Sequence, residues 1–204
     1  MTDDVERAMA ALEAGELVVI PTDTIYGLAC DPENEDAVRR LSELKGRSPE
    51  QPIALVAVSL DDLHDRMPEL RAGAGETVTL ALLPGPYTLV LPNPARRLPW
   101  LAGARPATIG VRVPDVSGVA RDLLERVGAV AATSANLHGG PDPRRLEDVP
   151  SEIRDGVAAL VDGGELPGTP STVVDLTGAT PRIVRAGAVP ADEALARVAA
   201  ALAE

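Results

Sequence analysis

The chain has 204 residues, 45% of them hydrophobic, enough for one globular domain with a sizeable core and too few for two. A formal net charge of −12 and an aromatic fraction of 1% exclude a surface built to displace counterions from nucleic-acid phosphates or to stack bases. The single cysteine, Cys30, excludes an internal disulfide and a thiolate metal site. It reads as a small buried thiol. No apolar run is long enough to span a bilayer and no leader pattern opens the chain, so a protein that is neither exported nor membrane-bound, and hence cytoplasmic, is expected.

Apolar periodicity predicts an amphipathic helix over 3–14 that stops at Gly15, followed by a buried strand in "ELVVIP". "PTDTIYGLAC" reads as a polar loop at that strand's carboxyl end. "NEDAVRRLSELKG" then fits a helix capped by Asn34 and closed near Gly46, which completes a β-loop-α unit. "PIALVAV" is a strand, "DDLHDRM" and "PELRAGAGETVTLAL" are helical with Gly73 and Gly75 weakening the second, and "YTLVL" is a strand. "ATIGVRVP" is a strand, "SGVARDLLERVG" a helix with a Ser cap, and "AVAATSAN" a strand running into a polar tip. "ALVDGG", "STVVDL" and "PRIVRAG" add three strands, and "PADEALARVAAALA" a closing helix with Pro in its first turn. Strands alternating with helices imply an α/β sheet with helices on its faces. Close spacing of the strands between 158 and 185 implies antiparallel pairing, hence a mixed sheet. "LPNPARRLPW" and "HGGPDPRRLEDVP" read as long surface loops.

Lys45 is the only lysine among 19 basic residues, and it stands two positions before Arg47. Four polar clusters fall at or beside strand ends: "PTDT", "KGR", "TIGVR" and "TSAN". Ligands settle along that edge in open α/β sheets. No Walker loop or dinucleotide fingerprint occurs, and two histidines, His64 and His138, give neither a metal cluster nor a Ser-His-Asp arrangement. The clusters supply cations, hydroxyls and amides, the inventory for holding phosphates and carboxylates. Locally, Lys45 and Arg47 fit two readings equally well: a site, or a cation pair offsetting the dipole at a helix C-terminus.

"PTDTIYGL", "KGR", "PGPYTLVL", "GVRVP", "TSAN", "STVVDL" and "IVRAG" occur in this order and at similar spacing in the YrdC-like threonylcarbamoyl-adenylate synthases. From Val18 to Gly187 the chain resembles that family, in its short form with a single domain over 1–204. The resemblance implies a twisted α/β fold with a large concave ligand cavity, and an enzyme that converts L-threonine, bicarbonate and ATP to threonylcarbamoyl-AMP and pyrophosphate. Mg²⁺ would share the charge of the leaving pyrophosphate, with no metal ligand identified among the protein side chains. A downstream transferase would pass the product to tRNA, without a strong direct grip of this chain on the tRNA.

The same resemblance assigns Lys45 and Arg47 to the nucleotide phosphates as the catalytic cations, joined on the ATP by Gln51, Thr108, Asn136 and Arg185. Thr22, Arg112, Ser134, Ser171 and Thr172 fall to L-threonine, with Arg112 on its carboxylate. Asp23 reads as a loop cap, and Thr24 receives no role. Four positions depart from the family pattern: Val56 where some members have a histidine, Leu83 in place of a Trp, His138 where a Ser often follows "SAN", and Arg144 near an expected hydroxyl. Two rival readings are a paralogue with another nucleotide-dependent activity on the same fold, and a non-catalytic RNA-binding module. Charge and the lack of aromatic residues weigh against the second.

Overall fold

The computed structural model describes residues 2–203. Its strands are β1 (Val18–Ile20), β2 (Gly27–Cys30), β3 (Ala54–Ala57), β4 (Tyr87–Pro92), β5 (Thr108–Arg112), β6 (Ala129–Ser134), β7 (Ala159–Leu160), β8 (Thr172–Asp175) and β9 (Arg182–Arg185). They form one sheet in the order β7-β1-β2-β6-β3-β5-β4-β8-β9. β1/β7, β3/β5 and β4/β8 pair in parallel and the other neighbours antiparallel, so the sheet is mixed as the sequence predicts. Pairing between 158 and 185 is antiparallel only at β8/β9, because β7 crosses to the far edge and lies beside β1.

Helices α1 (Thr2–Glu13) and α5 (Gly118–Val127) cover one face over the β7-β1-β2-β6 end. There Val5, Ala8, Leu12, Leu123 and Leu124 pack on Val18, Ile20, Ala29, Val130 and Ala132. The other face carries α2 (Glu35–Leu44), α3 (Leu60–Arg66), α4 (Gly73–Leu82), α6 (Ser151–Asp155) and α7 (Ala191–Ala203), packed over Leu28, Leu55, Leu89, Val111 and Val174. Side chains alternate between these faces with the period of two that strands impose. On the first face the covering stops short. Thr88, Val90 and Val173 are only half-buried, between core-facing neighbours that are fully buried, which leaves that stretch of sheet without a helical roof.

Two local expectations are corrected. The loop over 21–30 contains β2, whose "GLAC" has weak strand propensity; pairing with β1 and β6 on either side makes it a strand. Residues 68–82 are not one helix: Pro68–Arg71 form a 3₁₀ turn, and α4 begins at Gly73 in left-handed backbone at φ +69. Cys30 is fully buried, and burial pushes its thiol up to about 12, so it is an inert core residue. Asp175, at the end of β8, accepts from Thr177, Arg105 and Arg182, binding the β5 approach to the β8/β9 hairpin. Burial alone would raise its carboxyl, but these donors hold it well below the usual carboxylate range.

Candidate active site

The K-G-R tripeptide is the end of α2. Asn34 caps the start, its side chain accepting from Ala37 N at 3.0 Å. At the other end Gly46 N donates to Glu43 O and Arg47 N to Ser42 O. These two bonds make a Schellman turn, which needs the left-handed φ of +66 that Gly46 supplies. The turn throws Lys45 and Arg47 to the same side, toward the end of β6. Lys45 Nζ donates to Ser134 O at 2.6 Å and Asn136 O at 2.7 Å, and also contacts Ser134 Oγ at 3.1 Å and Asn136 Oδ1. Arg47 donates to Thr133 Oγ1 at 2.9 Å, Gln51 Oε1 at 3.0 Å and Pro52 O at 3.0 Å. Gly103 makes the last anchor possible, since a Cβ there would lie 2.2 Å from Glu50 O.

Lys45 is 5% exposed. Burial pushes its ammonium down to about 8, with Arg47 and Arg185 lowering it further and Asp142 opposing them. Burial also lowers Arg47, Arg112 and Arg185, while Asp142 raises Arg185 and Arg112 lowers it. Each guanidinium stays charged. The cations therefore lie within one another's fields, with Asp142 the carboxylate felt by both Lys45 and Arg185.

Arg112 closes β5 and Arg185 closes β9. Nη2 of Arg112 donates to Asp23 Oδ1 and, at 2.7 Å, to Thr24 Oγ1, while its buried Nε has no partner. Asp23 Oδ2 accepts from Asp115 N at 3.2 Å. Arg185 donates to Ser171 O at 2.9 Å and Ser171 Oγ at 3.0 Å, and that hydroxyl meets Thr88 Oγ1 at 2.8 Å. Register joins the parts. Arg112 is opposite Val56, Gly110 is opposite Ala54, and Ala54 is opposite Ala132. Thr108, Gly110 and Arg112 share one face of β5, so Thr108 and Arg112 mark the ends of a floor about 13 Å long. Gly110, Ala54 and Ala132 pave the middle with small side chains. A Cβ on Gly110 would meet only Ala54 and Thr88, at ordinary contact distances of 3.8 Å, so no packing demand of the fold requires glycine there.

A cleft of about 560 Å³ opens between the "PTDT" turn, the start of α5 and residues 162–167. Thr22, Asp23, Ser117, Gly118 and Asp162 are among its walls, and none of Lys45, Arg47, Arg112 and Arg185 is. Asp23 is where cleft and cations meet.

Among the sequence candidates, Lys45, Ser134 and Asn136 are brought into one bonded group, Arg47 and Gln51 into a second beside it through Thr133, and Arg185 and Ser171 into a third. Thr22 uses its hydroxyl on Ile25 O at 2.7 Å and shapes the turn carrying Asp23. Thr108 donates to Arg105 O and sits at the floor's edge without touching the others. Thr172 is set apart: it is fully buried, and its hydroxyl is engaged by Val189 O and Val189 N. Val56 stands beside Arg112, so that departure from the family pattern faces the site. Arg144 is turned to Glu165 instead. Sequence reasoning missed Asp23 and Thr24 as partners of Arg112, along with Thr88, Thr133 and Asp142. The alternation in "YTLVL" was the available signal for Thr88.

A family model, Sua5_yciO_yrdC, described as "Telomere recombination", matches residues 10–187. A Mycobacterium tuberculosis protein, provisionally named threonylcarbamoyl-AMP synthase, is 39% identical over 183 residues, covering 89% of this chain and 83% of its own length. Threonylcarbamoyl-AMP synthase of Pyrococcus abyssi is 34% identical over 91% of this chain and 54% of its own. The crystal structure of P. abyssi Sua5 complexed with L-threonine superposes with a TM-score of 0.83 at 33% identity, over 95% of this chain and 56% of that one. E. coli YciO gives 0.76 at 27%, over 92% and 91%. The small-residue floor flanked by "KGR", "TSAN" and two strand-end arginines thus sits on a fold and sequence shared with these proteins, and the chain belongs to the Sua5/YciO/YrdC family.

Proposed function

We propose that this chain is an L-threonylcarbamoyladenylate synthase, using L-threonine, bicarbonate and ATP to make threonylcarbamoyl-AMP and pyrophosphate. The observation that carries the reading is the gathering of Lys45, Arg47, Arg112 and Arg185 within one another's fields in a protein of net charge −12. That gathering costs repulsion and desolvation, and anionic ligands offset both. Relatives bearing the synthase name and the threonine complex of P. abyssi Sua5 support the same substrates.

In this reading the amino acid lies at the Arg112 end of the floor and the nucleotide at the Thr108 end, with its phosphates toward Lys45 and Arg47. Asn136 and Gln51 hold those two cations in place, while Arg185, carried by Ser171 and Thr88, approaches the phosphates from the opposite edge. The amine of threonine and bicarbonate condense to a carbamate with loss of water, and a carbamate oxygen attacks the α-phosphorus as the bond to the pyrophosphate oxygen breaks. The protein contributes alignment and a preorganised positive field. Mg²⁺ commonly travels with nucleotide phosphates and would share the charge of the leaving pyrophosphate; among the described residues no cluster of three or more His, Cys, Asp and Glu is arranged to hold a metal ion. The product passes to a tRNA-modifying transferase. We also place the work in the cytoplasm and in one catalytic unit over 1–204; among the described residues no helix is long and apolar enough to cross a membrane.

Pyrophosphate should appear only when ATP, bicarbonate and L-threonine are all supplied, as read by a coupled phosphate assay. Release independent of threonine would sink the assignment in favour of another activity on this fold. Gly110→Ala should leave thermal stability within about 1 kcal/mol of the parent, because the new methyl meets no close neighbour. It should nevertheless raise the KM of a substrate lying on the floor roughly 10-fold or more, the usual cost of overpacking. Unchanged KM values for all three substrates would show that nothing binds against Gly110.

A further inference from the structure

Arg112 is buried, with Asp23 and Thr24 both at one nitrogen, Nη2, and with Nε left unpaired. Nε and Nη2 form one edge of the guanidinium, the edge a carboxylate grips bidentately. An α-amino acid seated there carries its ammonium one carbon away from its carboxylate, within reach of the group that already occupies Nη2. The anion at that corner is Asp23. Its side chain is 9% exposed, it lines the 560 Å³ cleft, and each oxygen spends one lone pair, on Arg112 and on Asp115 N. Acceptor capacity therefore remains on both oxygens.

We propose that Asp23 is the receptor for the α-amino group of the amino-acid substrate, so that Arg112 and Asp23 together read the zwitterion. This rests on the proposed synthase reaction and adds a residue whose sequence reading was a loop cap. The pairing has a physical logic. A lone buried arginine would accept any carboxylate, acetate or bicarbonate included, whereas an adjoining buried carboxylate repels a simple anion and admits one that brings its own positive charge. Asp23 also aligns the amine with its nitrogen toward the floor, where the bicarbonate-derived carbon must join it. Asp115 N and the "PTDT" turn fix the Asp23 carboxylate independently of Arg112, so it is held in place whether or not the substrate has displaced it from Nη2.

The test compares L-threonine with 3-hydroxybutanoate, which keeps the carboxylate and hydroxyl and lacks the amine, by calorimetric titration of the full chain. The parent should prefer threonine clearly. Asp23→Asn should weaken threonine roughly 10- to 100-fold, the range for losing a charged hydrogen bond, and leave 3-hydroxybutanoate unchanged or tighter, with ATP affinity intact as the measure of folding. Equal weakening of both ligands would reduce Asp23 to a prop for Arg112 and overturn the proposal, as would no weakening of either. Should Asp23→Asn fail to bind ATP, the parent alone decides: equal affinity for threonine and 3-hydroxybutanoate rules the amino-group contact out. Failure of the synthase reading has a different signature, a parent that prefers threonine yet releases no pyrophosphate from the three substrates.

Discussion

Lys45→Ala should lower pyrophosphate release by roughly 10²-fold or more, the usual effect of deleting one preorganised electrostatic donor. Its three N–H donors are shared among four oxygens of Ser134 and Asn136, so the substitution also removes the cross-link between the end of α2 and the tip of β6. Arginine should not rescue it. The longer planar fork cannot fit where a compact ammonium is 5% exposed. Parent and variant should also differ in pH dependence. The folded ammonium gives up its proton near 8, against its ordinary 10.5, so the parent rate should fall as pH rises through about 8 and the residual rate of Lys45→Ala should lack that limb. Stability moves the other way: between about 8 and 10.5 the unfolded chain binds the extra proton, so stability rises with pH over that window. A pH–rate profile together with denaturant titrations at pH 7.5 and 9.5 would separate the two. Release by Lys45→Ala at the parent rate would remove Lys45 from the chemistry.

Arg112→Gln should raise the threonine KM roughly 10²-fold while changing the ATP KM only a few-fold, because truncating one side of a buried charged contact typically costs 2–5 kcal/mol, about 30- to 5 × 10³-fold. The same change strands Asp23, whose side chain is 9% exposed, and a buried charge without its partner costs about 3–5 kcal/mol of stability. The double variant Arg112→Gln with Asp23→Asn removes both charges and should regain much of that stability without regaining threonine use. Initial-rate measurements over a threonine series, paired with chemical denaturation, read both effects. A threonine dependence like the parent's in Arg112→Gln would remove the carboxylate clamp.

What the sequence makes legible is local. Asn34 as cap and Gly46 as terminator can be read because capping and the left-handed turn are decided within a few residues, and the K-G-R geometry follows from them. The alternation of strand and helix is legible for the same reason. Partners across the sheet are not. Asp23 and Arg112 are 89 positions apart, and no local preference distinguishes a loop-capping aspartate from one facing an arginine on a strand beyond β6 and β3. β2 escapes because "GLAC" becomes a strand through its neighbours, and β7 misleads because its two residues gain their place from β1 rather than from β8. Thr172 carries the motif's hydroxyl, but strand alternation turns it inward, to Val189. A motif match gives the position of a residue in the chain, while the pleat decides which side of the sheet that residue serves.

The bare stretch of sheet carries a consequence for how such a protein can diversify. The apolar mass that sustains the fold lies beneath the sheet and at its far end, whereas the seat itself is surfaced by Gly110 and Ala54, with Thr88, Val90 and Val173 around them. Exchanging those side chains alters what can be accommodated without opening voids in the interior. One scaffold of this kind can acquire new chemistry by retiling a few positions, and its thermal tolerance would be inherited almost untouched.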